Sequence, residues 1–121
     1  WYQARDGCQD EDNYELVTID DSAEQTWIRS TANSLSSSHW WWIGYNDIAA
    51  ALWQEPWAAW TWVDGSSSTY TNWAGGQPDN YWANEDCAHL YADGSWNDLA
   101  CTVNNWSNSY FLYYICEASI D

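Results

Sequence analysis

The sequence predicts a single α+β domain over residues 1–121, because helical patterns lie in the first third of the chain and strand patterns in the rest. A chain of this length buries roughly two thirds of the surface that its unfolded form exposes. Thirteen tryptophans and nine tyrosines supply apolar mass for a core, although the formal net charge is −16. We therefore expect a folded acidic domain with neither internal repeats nor an interdomain linker.

The first elements are predicted to be helices. A short helix fits residues 1–8, and a longer one fits residues 22–35, where Ser22 is followed three residues later by Gln25 in a capping-box pattern. Between them, YELVTI at 14–19 predicts a short extended segment. Apolar side chains fall near one face of the longer helix at Ala23, Trp27, Ile28, Ala32 and Leu35.

After the serine run at 36–38, five segments predict strands: HWWWIGY (39–45), WTWV (60–63), CAHLY (87–91), SWNDLAC (95–101) and YFLYYICE (110–117). The last segment has apolar residues on both faces, which predicts a central strand. Residues 64–86 are rich in Gly, Ser, Asn and Pro and show no clear period. They predict a long loop, and the carboxylates at its end favour a functional one over a disordered one.

The cysteines indicate the compartment. Cys8, Cys87, Cys101 and Cys116 form an even set that fits no common zinc spacing. Disulfides are the better interpretation, and four cysteines allow three pairings. Any of these pairings implies an oxidising compartment, so we expect a secreted or cell-surface protein.

The charge balance excludes several classes of partner. The chain has eighteen acidic residues and only two basic ones, Arg5 and Arg29. We therefore expect it to repel nucleic acid and anionic membrane surfaces. No window approaches the roughly twenty apolar residues of a membrane span, and the first residues lack a secretory signal. We expect a mature soluble chain or an excised piece, with no nucleic-acid partner and no membrane insertion.

Side-chain oxygens are crowded at the end of the predicted loop and just beyond it. Like charges held so close repel unless a cation lies between them, and calcium takes six to eight such oxygens where magnesium needs fewer. The alternative is a set of ordinary turns whose acids face water, which DGS at 93–95 favours on its own. The crowded residues are Gln77, Asp79, Asn80, Glu85, Asp86, Asn97 and Asp98.

The spacing of six motifs resembles the C-type lectin domain over nearly the whole chain. Any one motif is weak, but WND combined with QPD and the matched cysteines is specific. The resemblance implies two helices flanking antiparallel strands, a long loop that carries the site, and a cis peptide before Pro78. It also implies the pairs Cys8–Cys116 and Cys87–Cys101. The motifs are W-x2-A-x3-C at 1–8, WIG at 42–44, QPD at 77–79, EDC at 85–87, WND at 96–98 and C-x-A at 116–118.

The resemblance also implies the ligands of two calcium ions. By position, the sugar-binding calcium is held by Gln77, Asp79, Glu85, Asn97 and Asp98. The free oxygens and amides of these residues are expected to bond sugar hydroxyls. An auxiliary calcium is expected at Asp47, Glu55, Asn80, Glu85 and Asp86, although the segment 48–58 around Glu55 is longer than usual in the family.

The QPD motif is similar to that of galactose-type members, whereas EPN accompanies mannose-type binding. The resemblance therefore implies calcium-dependent binding of galactose or N-acetylgalactosamine on glycans or glycoproteins. An aromatic ring is expected against the apolar face of the sugar, supplied by Trp82 or by Tyr81. Galactose binders often have tryptophan where Tyr81 stands, and the alternative is that both rings pack within the loop. The residues expected to contact the sugar are Gln77, Asp79, Glu85, Asn97, Tyr81 and Trp82.

Catalysis has little support in the sequence. His39 and His89 lie beside predicted strand aromatics, and no serine or free cysteine is identifiable as a partner, so structural roles fit them better. Pairs of acids could serve a glycosidase, but ligand duty accounts for them better. The sequence therefore indicates a binding module and not an enzyme.

A competing hypothesis is a lectin-like building block of an extracellular assembly, in which calcium serves stability. Trp53 and Trp57 flank Pro56 and are hard to bury in one small domain, which favours a contact surface there. Family members usually have a strand before the first motif, whereas this chain begins at Trp1. The edge of the terminal strand is therefore expected to need a partner from upstream residues or from a neighbouring molecule. Asn105 begins an N-glycosylation triplet.

Overall fold

The computed structural model describes residues 1–50, 59–103 and 112–118. These residues form two α-helices, seven strands and a short 3₁₀ turn at Tyr81–Ala83, which agrees with the predicted α+β class. Within these ranges no helix is long and apolar enough to cross a bilayer. The elements are α1 (Tyr2–Gln9), β1 (Tyr14–Leu16), α2 (Ser22–Leu35), β2 (Trp40–Asn46), β3 (Thr61–Trp62), β4 (Cys87–Leu90), β5 (Trp96–Leu99), β6 (Leu112–Tyr114) and β7 (Cys116–Ala118).

The strands lie in two sheets. The larger sheet has the order β3-β2-β4-β5, and β6 runs parallel to the first half of β2. The other pairs of that sheet are antiparallel. The smaller sheet pairs β1 with β7, also antiparallel. Among the described residues β7 pairs with β1 alone, and an additional strand on its other edge stays a prediction.

The prediction of one central strand at 110–117 is wrong. The chain divides at Ile115, where β6 joins the larger sheet and β7 joins the smaller one. The Ile115 N–H donates to the Trp42 carbonyl (3.3 Å), and the Ile115 carbonyl accepts from the Val17 N–H (2.9 Å). The segment 110–117 has apolar residues on both faces because β6 lies in the larger sheet and β7 lies in the smaller one. Tyr113 and Tyr114 are exposed.

The start of α2 also differs from the prediction. The N-cap is Asp21, whose carboxylate accepts from the Glu24 N–H (2.8 Å). The Glu24 carboxylate in turn accepts from the Asp20 N–H (2.8 Å). The capping interaction therefore lies one residue before the predicted Ser22 and Gln25 pair, because an aspartate carboxylate is also a strong N-cap acceptor.

The predicted apolar face of α2 is only partly buried. Ile28 and Ala32 lie in the core, whereas Trp27 and Leu35 are 67% and 74% exposed. Ala23 is exposed as well. The helix therefore buries a narrower stripe than its sequence indicates and presents two large apolar side chains at the surface.

Strand β2 separates two clusters of core residues. Its side chains alternate, so that Trp41, Ile43 and Tyr45 join one cluster and Trp42 joins the other. The first cluster lies between α2 and the larger sheet, and it contains Trp62 and Trp96. The second cluster packs α1 against the opposite face. Tryptophans of the run at 40–42 thus contribute to the core, as expected for strand residues.

Two disulfides fasten the fold, and both are the pairs that the resemblance implied. Cys8–Cys116 joins α1 to β7 across a sequence separation of 108 residues. Cys87–Cys101 joins the start of β4 to the segment after β5 across 14 residues. The second bond therefore lies beside the strands that end at the candidate site.

Gln25 connects α2 to the turn before β5. Its Oε1 accepts from the indole N–H of Trp96 (2.8 Å), and its Nε2 donates to the Gly94 carbonyl (2.6 Å). Both side chains are buried. The amide therefore fixes Trp96, the residue that precedes Asn97 and Asp98 in the chain.

Replacing Gln25 by Leu is expected to lower the free energy of unfolding by about 2 kcal/mol. The substitution keeps the side-chain volume but leaves the buried Trp96 N–H without its acceptor, and such an orphaned donor costs about 1–3 kcal/mol. Urea denaturation followed by tryptophan fluorescence measures the change. Gln3→Leu, on the exposed surface of α1, is the matched control. Equal losses in both variants would contradict the role given to Gln25.

Candidate metal centre

Three carboxylates meet where the long loop returns to the larger sheet. One oxygen each from Asp79, Glu85 and Asp98 lies within 4.8 Å of the others. Asp98 is fully buried, Glu85 is half-buried and Asp79 is exposed. Within the described ranges, no other set of three or more histidine, cysteine or carboxylate side chains gathers so closely.

Strand β5 carries Asp98 and its neighbour Asn97, and the β4–β5 ladder holds their backbone in place. Asn97 and Asp98 lie opposite His89 and Ala88 of β4 in the antiparallel register, and both are buried. One carboxylate oxygen of Asp98 accepts from the Asp79 N–H (3.2 Å), and the other accepts from the Asn80 N–H (2.7 Å). The strand therefore holds the loop through both oxygens of one carboxylate.

The loop is closed by hydrogen bonds of its own. The Asn80 side-chain oxygen accepts from the Glu85 N–H (3.0 Å), and the Glu85 carboxylate accepts from the Tyr81 N–H (3.1 Å). Asn80, Trp82 and Ala83 all have positive φ angles, which non-glycine residues rarely adopt. The Gln77–Pro78 bond is cis, as the resemblance implied. The loop thus has a defined conformation that its neighbours maintain.

The Gln77 side chain is a further candidate oxygen donor, two residues before Asp79 in the chain. Its Oε1 is buried and has no hydrogen-bond partner among the described residues. A buried acceptor without a partner is unfavourable by about 1–3 kcal/mol, and a bound cation removes that penalty. Carboxylate and amide oxygens are the hard ligands that calcium takes. The donor set therefore fits a hard divalent cation.

The electrostatics of the cluster agree with this assignment. Burial, the charge of Asp98 and the neighbouring Asp79 raise the pKa of Glu85 to about 8. Burial also raises the pKa of Asp98 to about 6, although the N–H groups of Asn80 and Asp79 oppose the shift. Both shifts arise because negative charge is held close together and away from water. A cation between the carboxylates would lower both pKa values.

His89 contacts Asn97, the residue that precedes Asp98 in β5. Its Nε2 is 3.1 Å from the Asn97 side-chain nitrogen, and its Nδ1 is 3.1 Å from the Leu90 carbonyl oxygen. Burial lowers the pKa of the imidazole to about 4, so the ring is neutral near pH 7. The sequence predicted a structural histidine but gave no sign of the contact with Asn97. Only the register of β4 against β5 reveals it.

The residues expected at an auxiliary calcium are not gathered in the same way. The Asp47 N–H donates to the Asp86 carbonyl (2.9 Å), which places the two backbones side by side. Asn80 and Glu85 belong to the hydrogen bonds of the loop. Glu55 lies outside the described residues, as do Trp53, Trp57 and Asn105. The auxiliary site therefore stays a prediction.

Two aromatic side chains project from the loop. Tyr81 is 60% exposed and Trp82 is 83% exposed, and their rings meet edge to face at 5.3 Å. The two rings contact each other, but most of each side chain is exposed, which favours a contact surface over packing within the loop. They form an accessible apolar surface close to the carboxylates in sequence.

Residues 1–118 match the sequence model of the family described as "Lectin C-type domain". The chain belongs to the C-type lectin family. This C-type lectin domain is 34% identical over 119 residues to the hepatic lectin of Gallus gallus, which covers 97% of the chain and 49% of that protein. It is 44% identical over 82 residues to the alpha-N-acetylgalactosamine-specific lectin of Patiria pectinifera, which covers 64% of the chain and 40% of that protein.

The fold agrees with solved structures of the family. The C-type lectin CEL-I from Cucumaria echinata superposes with a TM-score of 0.75 at 30% identity, covering 85% of this chain and 76% of that one. The chain spans about half or less of the length of the two curated relatives named above. Family members generally bind calcium, and C-type lectin relatives bind glycans or glycoproteins and are mostly extracellular or on the cell surface. The family has carbohydrate-binding members and is not known for enzymes, which agrees with the prediction of a binding module.

The pKa of Glu85 generates a prediction for the calcium-free domain. Because this pKa is raised in the folded state, the folded chain binds more protons than the unfolded one, and stability is lost as the pH rises through about 8. Glu85→Gln removes the charge. We expect its stability advantage over the wild type, measured by urea denaturation in chelator, to be larger at pH 8.5 than at pH 6.5 by on the order of 1 kcal/mol.

The comparison with the variant is needed because another group titrates in the same range. Burial and the nearby Arg5 lower the pKa of the Trp1 amine to about 6, which makes stability rise with pH. That contribution is the same in both proteins and cancels. An advantage of Glu85→Gln that stays constant between the two pH values would contradict the raised pKa.

Proposed function

We propose that this C-type lectin domain binds galactose-type sugars, galactose or N-acetylgalactosamine, through a calcium ion that the protein and the sugar share. The proposal rests on one observation, the convergence of the carboxylates of Asp79, Glu85 and Asp98. The buried oxygen of Gln77, which has no partner among the described residues, supports it. The residues assigned to the ion are Gln77, Asp79, Glu85, Asn97 and Asp98.

The donor set favours calcium over magnesium. Five side chains each offer an oxygen, and the loop that carries them is long, whereas magnesium demands six ligands in a small octahedron and keeps several waters. Calcium accepts six to eight oxygens. Two neighbouring sugar hydroxyls would supply further oxygen ligands, and the ion would then link the protein to the glycan.

The protein side chains provide the hydrogen bonds that orient the sugar. An amide offers N–H groups beside its oxygen, whereas a carboxylate only accepts. Gln77 and Asn97 thus supply donors, and Asp79 and Glu85 supply acceptors. The order of donor and acceptor at Gln77 and Asp79 supports the galactose type, as does the similarity to a relative whose name states N-acetylgalactosamine specificity.

The exposed rings of Tyr81 and Trp82 support the same class of sugar. Galactose has an apolar face, and stacking it on an aromatic ring removes both from water. Trp82 presents the larger and more exposed surface. We assign the main stacking contact to Trp82 and a secondary contact to Tyr81.

The domain is proposed to act outside the cell on glycans or glycoproteins. The two disulfides support an oxidising compartment. The marked acidic charge supports neutral or basic partners over polyanionic ones. Calcium binding in this setting stabilises the folded domain in proportion to the logarithm of the calcium concentration.

The exchange of donor and acceptor tests the assignment of specificity. Gln77→Glu combined with Asp79→Asn keeps the shape and the formal charge of the site but reverses the order of donor and acceptor. The double variant is expected to keep calcium affinity and to change its preference from galactose towards mannose. Competition binding on immobilised sugars with calcium, and again with a chelator, measures both properties.

Three outcomes separate the possible functions. Loss of galactose binding in chelator supports the shared ion. Retention of galactose binding without calcium contradicts it. Calcium binding by the wild type with no affinity for any monosaccharide or glycan supports the structural-module hypothesis instead, in which the metal only stabilises an extracellular assembly.

Replacement of Trp82 by Ala tests the stacking surface. We expect galactose affinity to fall by on the order of 1 kcal/mol or more from lost stacking, while calcium affinity is unchanged. Trp27→Ala on α2 is the matched control, because Trp27 is also an exposed tryptophan but belongs to no part of the proposed site. Tyr81→Ala is expected to give a smaller loss. Equal galactose binding by Trp82→Ala and the wild type would refute the stacking role.

A further inference from the structure

His89 is a buried titratable side chain that contacts the proposed ligand Asn97 and has no part in the proposed function. It is fully buried and lies in the middle of β4, where its partner across the ladder is Asn97. The ring stacks on Trp40 with centroids 4.5 Å apart and meets Tyr91 edge to face at 5.0 Å. The imidazole is thus held in one orientation.

The hydrogen bonds of the ring determine its tautomer. Nδ1 lies 3.1 Å from the Leu90 carbonyl oxygen, which can only accept, so Nδ1 carries the proton. Nε2 then has a lone pair and no hydrogen. Its partner must donate, and that partner is the side-chain nitrogen of Asn97 at 3.1 Å.

This bond fixes the amide of Asn97. An asparagine amide has one oxygen and two N–H groups, and the oxygen and nitrogen exchange places when the group rotates by half a turn. One N–H of Asn97 is committed to His89. The oxygen and the second N–H therefore keep assigned positions, and both remain available for other partners.

We propose that His89 is a positioning residue for the calcium-dependent site. By accepting from the Asn97 side chain, it holds Oδ1 in place as a metal ligand and leaves the second N–H for a sugar hydroxyl. The inference rests on the proposed function of Asn97. Partners of this kind, one bond removed from the metal, generally orient the ligands of metal sites.

A core histidine with only a packing role would behave differently. In that case any side chain that fills the space beside Trp40 would serve equally. A positioning role instead requires a hydrogen-bond acceptor at the place of Nε2. The two cases are separated by variants that differ in where they put an acceptor.

Three substitutions of His89 make the test. Gln places its amide oxygen where Nε2 stands, Asn places its amide nearer to the position of Nδ1, and Leu offers apolar volume alone. Calorimetric titration of each calcium-free protein with calcium chloride measures the affinity, and the melting temperature in chelator measures packing. His39→Gln is the control for loss of a histidine elsewhere in the chain.

We expect His89→Leu and His89→Asn to bind calcium at least about tenfold more weakly than the wild type, the usual effect of removing such a partner. His89→Gln is expected to stay within about threefold. All three variants lower the melting temperature, so stability alone does not separate them. Equal calcium affinity in the Gln, Asn and Leu variants would overturn the positioning role.

A second measurement does not depend on calcium. Nitrogen-15 NMR of the wild-type imidazole at neutral pH, in chelator, identifies which ring nitrogen carries the proton. A proton on Nδ1 and a bare Nε2 support the proposal, and a proton on Nε2 overturns it. If the wild type binds no calcium at all, the proposed function fails together with the role of His89. If it binds calcium but the three variants do so equally, only the role of His89 fails.

Discussion

The conformation of the binding loop depends on the buried carboxylate of Asp98. Its two oxygens accept from successive backbone N–H groups, those of Asp79 and Asn80, and thereby bind the loop to β5. Strand β5 is itself held from behind, because Trp96 is hydrogen-bonded to Gln25 of α2. The position of the site thus follows from a chain of buried polar contacts that runs from the helix through the sheet to the loop.

This arrangement is unfavourable on its own. Three carboxylates lie close together, two of them shielded from water, and three residues of the loop have left-handed backbone conformations. The rest of the domain contains two apolar clusters and two disulfides that stabilise the fold. The stable core therefore allows the loop to keep a geometry that suits a cation better than it suits the protein alone.

Much of the fold could be predicted because its signals are local. The two helices, the strands of the larger sheet and the acidic residues of the loop follow from periodicity and residue type. The split at Ile115 could not be predicted. An apolar segment that passes from one sheet to another shows the same residue pattern as one that stays in a single sheet. The contact of His89 with Asn97 was also hidden, because it depends on the register between two strands. The family resemblance indicated Gln77 as a metal ligand from the spacing of the motifs. Only the structure shows that its side-chain oxygen is buried without a hydrogen-bond partner among the described residues.

The division of the terminal segment at Ile115 affects how the domain unfolds. A single residue gives its N–H to the larger sheet and receives the N–H of Val17 from the segment that continues β1. The hydrogen bonds of this one residue therefore link the two sheets directly. We therefore expect stabilisation at the loop end of the larger sheet to slow hydrogen exchange in the smaller sheet as well, as in a domain that unfolds as one cooperative unit.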